Sequence, residues 1–131
     1  MKVAVIGSRN LSVDISLYIP DGVTSIISGG ARGIDSLAER YAEQRGLCMQ
    51  IIKPDYAMHG KRAPLLRNCL IIDESDVVVA IWDGKSRGTR QAIRYVKKMN
   101  KPLHLHIIPG APTPLEVLSY EPDQHFDDID S

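Results

Sequence analysis

A glycine-rich stretch at residues 28–35, with the sequence SGGARGID, places the strongest constraint on how this chain can fold. An apolar and β-branched segment at residues 23–27 precedes it, and apolar residues at helical spacing follow from Ile34. The order strand, glycine turn, helix brings backbone N–H groups to the positive end of a helix dipole and predicts an anion site. Arg32 adds a guanidinium group that can hold phosphate with two hydrogen bonds. A tight turn without a ligand is the alternative interpretation.

Strands alternate with helices along residues 1–110, a pattern typical of a parallel sheet covered by helices on both faces. With right-handed crossovers the pattern predicts one Rossmann-like, doubly wound α/β domain, whose mainly parallel five-stranded sheet has the order 3-2-1-4-5. The predicted strands comprise residues 2–6, 23–28, 47–53, 76–82 and 102–107, and the predicted helices residues 13–19, 34–45, 62–73 and 89–99.

Charge is distributed unevenly along a chain whose net charge is zero. Residues 111–131 carry six acids and no Lys or Arg, so residues 1–110 hold all 16 basic residues against 10 acids. We therefore divide the chain into a domain at residues 1–110 and an acidic, proline-containing tail at residues 111–131. A basic domain suggests an anionic ligand, and a tail that serves only solubility is the alternative.

The sequence indicates neither a membrane segment nor a disulfide framework. No apolar run approaches the roughly 20 residues that span a bilayer, and a strand pattern begins at residue 2, so we expect no signal peptide and a cytoplasmic location. Cys48 and Cys69 lie in apolar segments and are expected to be reduced core residues. The four histidines show no metal-ligand spacing, so no metal or cofactor is expected.

Three loops rich in Gly, Ser or Thr follow the first, second and fourth predicted strands, and each contains Arg or Lys. Parallel strands place their carboxyl ends at one edge, where ligands of such sheets bind beside the point at which strand order reverses. The convergence of three such loops predicts a phosphate site. The predicted ligand-binding residues in these loops are Gly7, Ser8, Arg9, Ser28, Gly29, Gly30, Ala31, Arg32, Gly33, Asp35, Asp83, Lys85, Arg87, Gly88 and Thr89.

Two common phosphate motifs are absent from these loops. The Gly-Lys-Ser sequence at residues 84–86 fails the P-loop spacing, because Val79 occupies the position of the first glycine. The glycines at residues 28–35 lack the dinucleotide-binding register, and Lys53 ends the third predicted strand where that motif has an acid. NAD is therefore not expected as a ligand.

Residues 7–9 and 28–35 resemble signature motifs of the SLOG superfamily, which includes DprA (Smf), the YspA/YpsA-related proteins and the LOG phosphoribohydrolases. Arg67-Asn68 and Gly88-Thr89 are similar to the later motifs of these proteins. The resemblance covers about residues 1–108 and implies a Rossmann-like fold that binds nucleotides or nucleotide-derived ligands. It adds Arg67 and Asn68 to the predicted ligand-binding residues.

Our leading hypothesis is a small YspA-like module that binds a nucleotide or sugar phosphate, with a role as a sensor. One alternative is a LOG-like phosphoribohydrolase that cleaves nucleoside monophosphates. Gln91 stands where LOG enzymes have their catalytic Glu, and its amide cannot act as a base. This activity would therefore require Asp35 or Asp83 to take the place of that Glu. The other alternative is DprA-like binding of single-stranded DNA, against which the neutral net charge and few aromatic residues argue. Homo-oligomerisation is left open.

Overall fold

Five parallel strands form one sheet in the order β3-β2-β1-β4-β5 in the computed structural model, which describes residues 1–109. This confirms the predicted fold class and strand order, while the predicted tail at residues 111–131 lies outside the described residues. The strands are β1 (Lys2–Gly7), β2 (Ser25–Ser28), β3 (Cys48–Ile51), β4 (Val77–Trp82) and β5 (Leu103–Ile107).

Four α-helices lie within residues 1–109, together with two short 3₁₀ turns. The helices are α1 (Ile34–Arg45), α2 (Tyr56–His59), α3 (Ala63–Glu74) and α4 (Arg87–Lys98), and the 3₁₀ turns are Ile15–Leu17 and Gly60–Arg62. None of the helices in this part of the chain has the length and apolar character needed to cross a bilayer.

Strand β4 is buried along its whole length and lies between β1 and β5. Side chains alternate between the faces of a strand, so its six residues contribute to two hydrophobic clusters. Val79 and Ile81 lie in the cluster that contains Ile34 and Ala38 of α1. Trp82 lies in the opposite cluster, which contains buried residues of α3 and α4. The helices therefore cover both faces of the sheet, as the near-continuous apolar sequence of β4 predicts.

Helix α1 has the bounds that the sequence predicts, because local signals fix both of its ends. It begins after Gly33, whose φ of 71° and ψ of −123° suit glycine, and it ends at Gly46. Gly46 adopts a left-handed conformation and donates its N–H to the carbonyl groups of Ala42 and Glu43. The same helix buries Ile34, Ala38 and Ala42, which are spaced four residues apart.

Two predicted elements differ in the structure. The helix expected at residues 13–19 is a single 3₁₀ turn, and Asp14 caps it by accepting the N–H of Ser16 at 3.1 Å. The segment expected as a loop before α3 contains α2, whose start is fixed where Asp55 Oδ1 accepts the N–H of Met58 at 3.1 Å. In both places one aspartate side chain satisfies an otherwise unpaired backbone donor, and short elements form around it.

The start of the fourth helix, predicted at residue 89, is wrong: α4 begins two residues earlier at Arg87, so Thr89 is buried within the helix and does not cap it. The prediction that Cys48 is a core residue is also wrong. Cys48 is exposed because β3 forms an edge of the sheet, whereas Cys69 on α3 is half-buried. Both cysteines are free thiols.

We predict that Gly33→Ala destabilises the fold much more than Gly46→Ala. Both glycines have a positive φ, but a Cβ on Gly33 would lie 2.5 Å from the carbonyl oxygen of Arg9, whereas a Cβ on Gly46 would have no atom within 4 Å. We expect Gly46→Ala to cost about 1 kcal/mol and Gly33→Ala about 3 kcal/mol or more in the free energy of unfolding. Urea unfolding of both variants measures the difference, and equal losses would contradict the close packing of the two loops.

Candidate nucleotide-binding site

A cavity of about 430 Å³ opens at the carboxyl edge of the sheet, beside the point where strand order reverses between β1 and β4. Its walls come from the β1 loop, the glycine turn and first turn of α1, the first part of α3, and the loop between β4 and α4. Open parallel sheets bind ligands at this position. The cavity is therefore the first candidate for a functional site.

A buried arginine on α3 forms part of the cavity wall. Arg67 is only 8% exposed, and its Nη1 donates a hydrogen bond to the carbonyl oxygen of Gly29 at 2.7 Å. Its Nε donates to Asn68 Oδ1 at 2.8 Å, so two fixed bonds orient the guanidinium group. A Cβ on Gly29 would lie 2.5 Å from Nη1, and glycine is therefore required for this approach. The glycine turn serves here to admit an arginine.

Asp35, in the first turn of α1, is the second charged group that the fold buries at the cavity. Its Oδ2 accepts the N–H of Ala31 at 3.2 Å. Burial raises the pKa of the Asp35 carboxyl, while the Ala31 hydrogen bond and the charge of Arg67 oppose that rise. Burial likewise lowers the pKa of the Arg67 guanidinium, and Asp35 opposes that change. Each group thus supports the charged form of the other in a poorly solvated place.

Asp83 organises the loop between β4 and α4. Its Oδ1 accepts the N–H groups of Lys85 at 2.9 Å and Ser86 at 2.8 Å, and its own N–H donates to Ser8 Oγ at 3.0 Å. Burial acts to raise the pKa of the Asp83 carboxyl, but hydrogen bonds from Ser86, Lys85, Ser8 and Asn10 outweigh it and lower the pKa. The residue therefore remains ionised and holds the β1 and β4 loops together.

The first N–H group of α1 is engaged within the protein. Ile34 donates it to the carbonyl oxygen of Ser8 at 3.5 Å, while the N–H of Ser8 donates to Ile81 at 3.1 Å. The sequence predicts that the first helical N–H groups face a ligand. For the N–H of Ile34 this prediction is wrong, because it is donated to Ser8. The cations that line the cavity are the side chains of Arg9 and Arg67.

The structure brings about half of the predicted site residues together in the cavity wall. Those that line it are Gly7, Arg9, Ala31, Asp35, Arg67, Asn68, Asp83, Gly88 and Thr89. Those that lie outside its lining are Ser8, Ser28, Gly29, Gly30, Arg32, Gly33, Lys85 and Arg87. The second group includes buried supports, such as Ser8 and Ser28, and exposed cations, such as Arg32.

Five further residues line the cavity that sequence reasoning missed: Ile6, Asn10, Pro64, Ser86 and Ala92. Asn10 directly follows the Gly-Ser-Arg sequence of the β1 loop, so its amide was available as a polar signal. Ser86 lies between two cations that were selected, Lys85 and Arg87. Ile6, Pro64 and Ala92 carry no polar group, and only the three-dimensional packing places them in the wall.

Comparison with known proteins identifies a relative in a bacteriophage. No family model matches the chain. Over 84 residues, 60% of its length, the chain is 36% identical to the Gene 61 protein of Mycobacterium phage D29, and the match spans 67% of that protein. The chain belongs to the Gene 61 protein family.

Two solved structures share the fold of this Gene 61 family member. DNA processing protein A (DprA) from Helicobacter pylori, whose structure concerns its single-stranded DNA binding mode, aligns with a TM-score of 0.65 at 23% identity, over 98% of this chain and 80% of that one. DprA from Streptococcus pneumoniae aligns with a TM-score of 0.67 at 22% identity, over 99% of this chain and 56% of that one. The likeness establishes a DprA-like Rossmann fold, in agreement with the SLOG resemblance.

Seven exposed cations of this Gene 61 family member lie in the segments that follow the carboxyl ends of four strands, the edge of the sheet at which the cavity opens. We call this set the basic edge. It consists of Arg9, Arg32, Lys53, Lys61, Arg62, Lys85 and Arg87. The same segments, residues 8–10, 29–33, 52–62 and 83–87, contain two acids, of which Asp83 is buried and Asp55 caps α2. Gln91, which replaces the LOG-type acid, is exposed and does not line the cavity.

We predict that Asp83→Asn destabilises the protein at neutral pH and that the difference shrinks in acid. Because the folded-state pKa of Asp83 lies below its ordinary value of 3.8, its charge stabilises the fold above about pH 4, and this stabilisation is lost as the pH falls further. Asparagine keeps the acceptor oxygen but not the charge, so we expect a loss of about 1 kcal/mol at pH 7. Denaturant unfolding at pH 7 and pH 3 tests this, and equal losses at both would contradict it.

Proposed function

We propose that this protein binds single-stranded DNA along the basic edge, with one nucleotide unit seated in the cavity. The observation that carries the proposal is that the seven exposed cations of the basic edge lie at the same carboxyl edge of the sheet as a cavity whose wall includes a buried arginine. Of the seven, Arg9 lines the cavity and the others lie outside its lining. A ligand that uses them all must extend beyond the cavity, as a polyanion does.

Charge density supports a polymeric ligand. Phosphates repeat along a nucleic acid strand, and basic groups that track them supply most of the non-specific affinity. The net charge of zero, taken from the sequence, argues against DNA binding. However, six of the acids lie in residues 111–131 and only two lie in the segments of the basic edge. Within these four segments seven cations stand against two acids, so their local charge is positive.

The cavity suits one nucleotide unit. Arg9 and Arg67 provide cationic donors for a phosphate. The amides of Asn10 and Asn68 each make one hydrogen bond within the protein, to Asp83 and Arg67, and their remaining donors and acceptors suit sugar or base. Asp35 adds a carboxyl group in the same wall, which disfavours a second phosphate there. The DprA-like fold supports this proposal, since the H. pylori protein is one whose single-stranded DNA binding mode has been described.

A free nucleotide is the second candidate ligand, as in a YspA-like sensor. It is favoured by the volume of the cavity, about 430 Å³, which falls within the roughly 300–1,000 Å³ of typical small-molecule sites. Either ligand is compatible with the cytoplasmic location that we infer from the sequence. The two candidates differ in how many cations of the basic edge the ligand uses.

We predict that Arg9→Ala weakens binding to a fluorescently labelled deoxythymidine oligonucleotide by about tenfold. Loss of one phosphate contact should also reduce the slope of log affinity against log salt by about 0.7. Arg45→Ala is the matched control, since Arg45 is exposed at the other end of α1, and its effect should stay within about twofold. Fluorescence anisotropy at several salt concentrations measures these values. Equal losses of oligonucleotide affinity in the two variants would show that the phosphates bind away from Arg9.

We predict that Arg32→Ala separates the two candidate ligands. Arg32 belongs to the basic edge but lies outside the cavity lining, so its loss should weaken the oligonucleotide severalfold and leave a mononucleotide almost unaffected. Arg9→Ala should weaken both ligands. Anisotropy with the oligonucleotide and calorimetry with thymidine monophosphate give the comparison. Tight mononucleotide binding without detectable oligonucleotide binding would favour the sensor.

A further inference from the structure

The side chain of Tyr56 is unusually exposed for an aromatic residue of this protein. Of the four tyrosines and one tryptophan within residues 1–109, Tyr56 has the most exposed side chain, with 59% of its surface accessible. It belongs to neither hydrophobic cluster, and its hydroxyl makes no hydrogen bond to the described part of the chain. Its ring therefore contributes little to the folded core.

The backbone that carries Tyr56 is held in place before any ligand binds. Asp55 accepts the N–H of Met58 with its side chain and the N–H of His59 with its carbonyl oxygen, at 3.1 and 3.0 Å. The single turn of α2 then ends at Gly60, which has a φ of 58°. Because the turn is already formed, little backbone ordering opposes a contact with the ring.

Tyr56 belongs to α2, which packs against α3, the helix that contributes Pro64, Arg67 and Asn68 to the cavity wall. Tyr56 follows β3 at the carboxyl edge, within the segment that contributes Lys53, Lys61 and Arg62 to the basic edge. An exposed aromatic ring in a segment that also carries cations is typical of proteins that hold unpaired bases, since the base stacks while the cations bind the backbone.

We propose that Tyr56 is a base-stacking platform for a nucleotide adjacent to the one in the cavity. This inference rests on the proposed binding of single-stranded DNA and names the group that contacts the bases. The basic edge provides the contacts to the phosphates, and Tyr56 adds a contact that requires a base. Every base has a π-face, so stacking on one ring gives affinity with little sequence preference.

The test uses the full chain and two labelled oligonucleotides of equal length, one of deoxythymidine and one of abasic deoxyribose phosphate. Tyr56→Ala should weaken binding of the deoxythymidine strand by about 5- to 100-fold and leave binding of the abasic strand within about twofold. Tyr56→Phe retains the ring and should bind both strands like the unmodified protein. Met58→Ala, on the same helix with 74% of its surface exposed, is the matched control and should change neither affinity.

The outcomes separate this inference from the proposed function. If the unmodified protein binds the deoxythymidine strand and Tyr56→Ala binds it equally well, the stacking role is wrong and DNA binding stands. If Tyr56→Ala loses the same affinity for both strands, the tyrosine acts on the backbone and the stacking role is again wrong. If the unmodified protein binds neither strand, the proposed function and this inference both fail. Circular dichroism of each variant controls for folding.

Discussion

The hydrogen bond between Arg67 and the carbonyl oxygen of Gly29 is the contact on which the site depends. It joins α3 to the turn after β2 across 38 residues of sequence, and it does so in a place that is largely closed to water. A cation buried there needs compensation, and the nearby carboxyl of Asp35 supplies part of it. The fold thus brings a fixed charge to the cavity wall, and a ligand meets it already oriented.

The glycines of residues 28–35 owe their positions to close packing. Gly29 admits the Arg67 guanidinium, and Gly33 lies against the backbone of Ser8 and Arg9. Since Ile34 donates its N–H to Ser8, the glycine-rich turn that the sequence predicts to bind a ligand packs instead, in this part, against the loop after β1, and the two loops form a joint. That joint fixes Arg9 next to the cavity, so the glycines act on the ligand through the arginines that they position.

Local signals made the sheet and α1 predictable from sequence. The apolar run of β4 and the glycines at 33 and 46 each act over a few residues, and the strand order follows from the handedness of the crossovers. The start of α4 was less predictable, because no side chain caps its N-terminus, and the hydrogen bond with Ser8 that helps hold Asp83 in the preceding loop spans 75 residues. The single turn of α2 is too short for a periodic pattern to indicate it.

Contacts between distant segments also explain why the site was predicted only in part. The role of Arg67 depends on its approach to Gly29, and the exposure of Tyr56 depends on a turn that leaves the ring outside both clusters. Lys53, Lys61 and Arg62 escaped the prediction because their segment contains a single glycine and no Gly-Ser or Gly-Thr signal. They belong to the site only because β3 is parallel to β2 and ends at the same edge.

Charge placement, more than net charge, decides what this edge can bind. A charge farther than a Debye length of about 8–10 Å from a phosphate is largely screened at physiological salt, so acids count against a polyanion only where they lie close to it. At the basic edge one nearby acid, Asp83, is already engaged by two backbone N–H groups, and another, Asp55, caps α2. All seven cations of the basic edge are exposed, and they outnumber the two acids of the same segments. Neutrality of the whole chain is compatible with an excess of cations at one edge, and the excess of cations is the property on which the proposed binding of a nucleic acid strand depends.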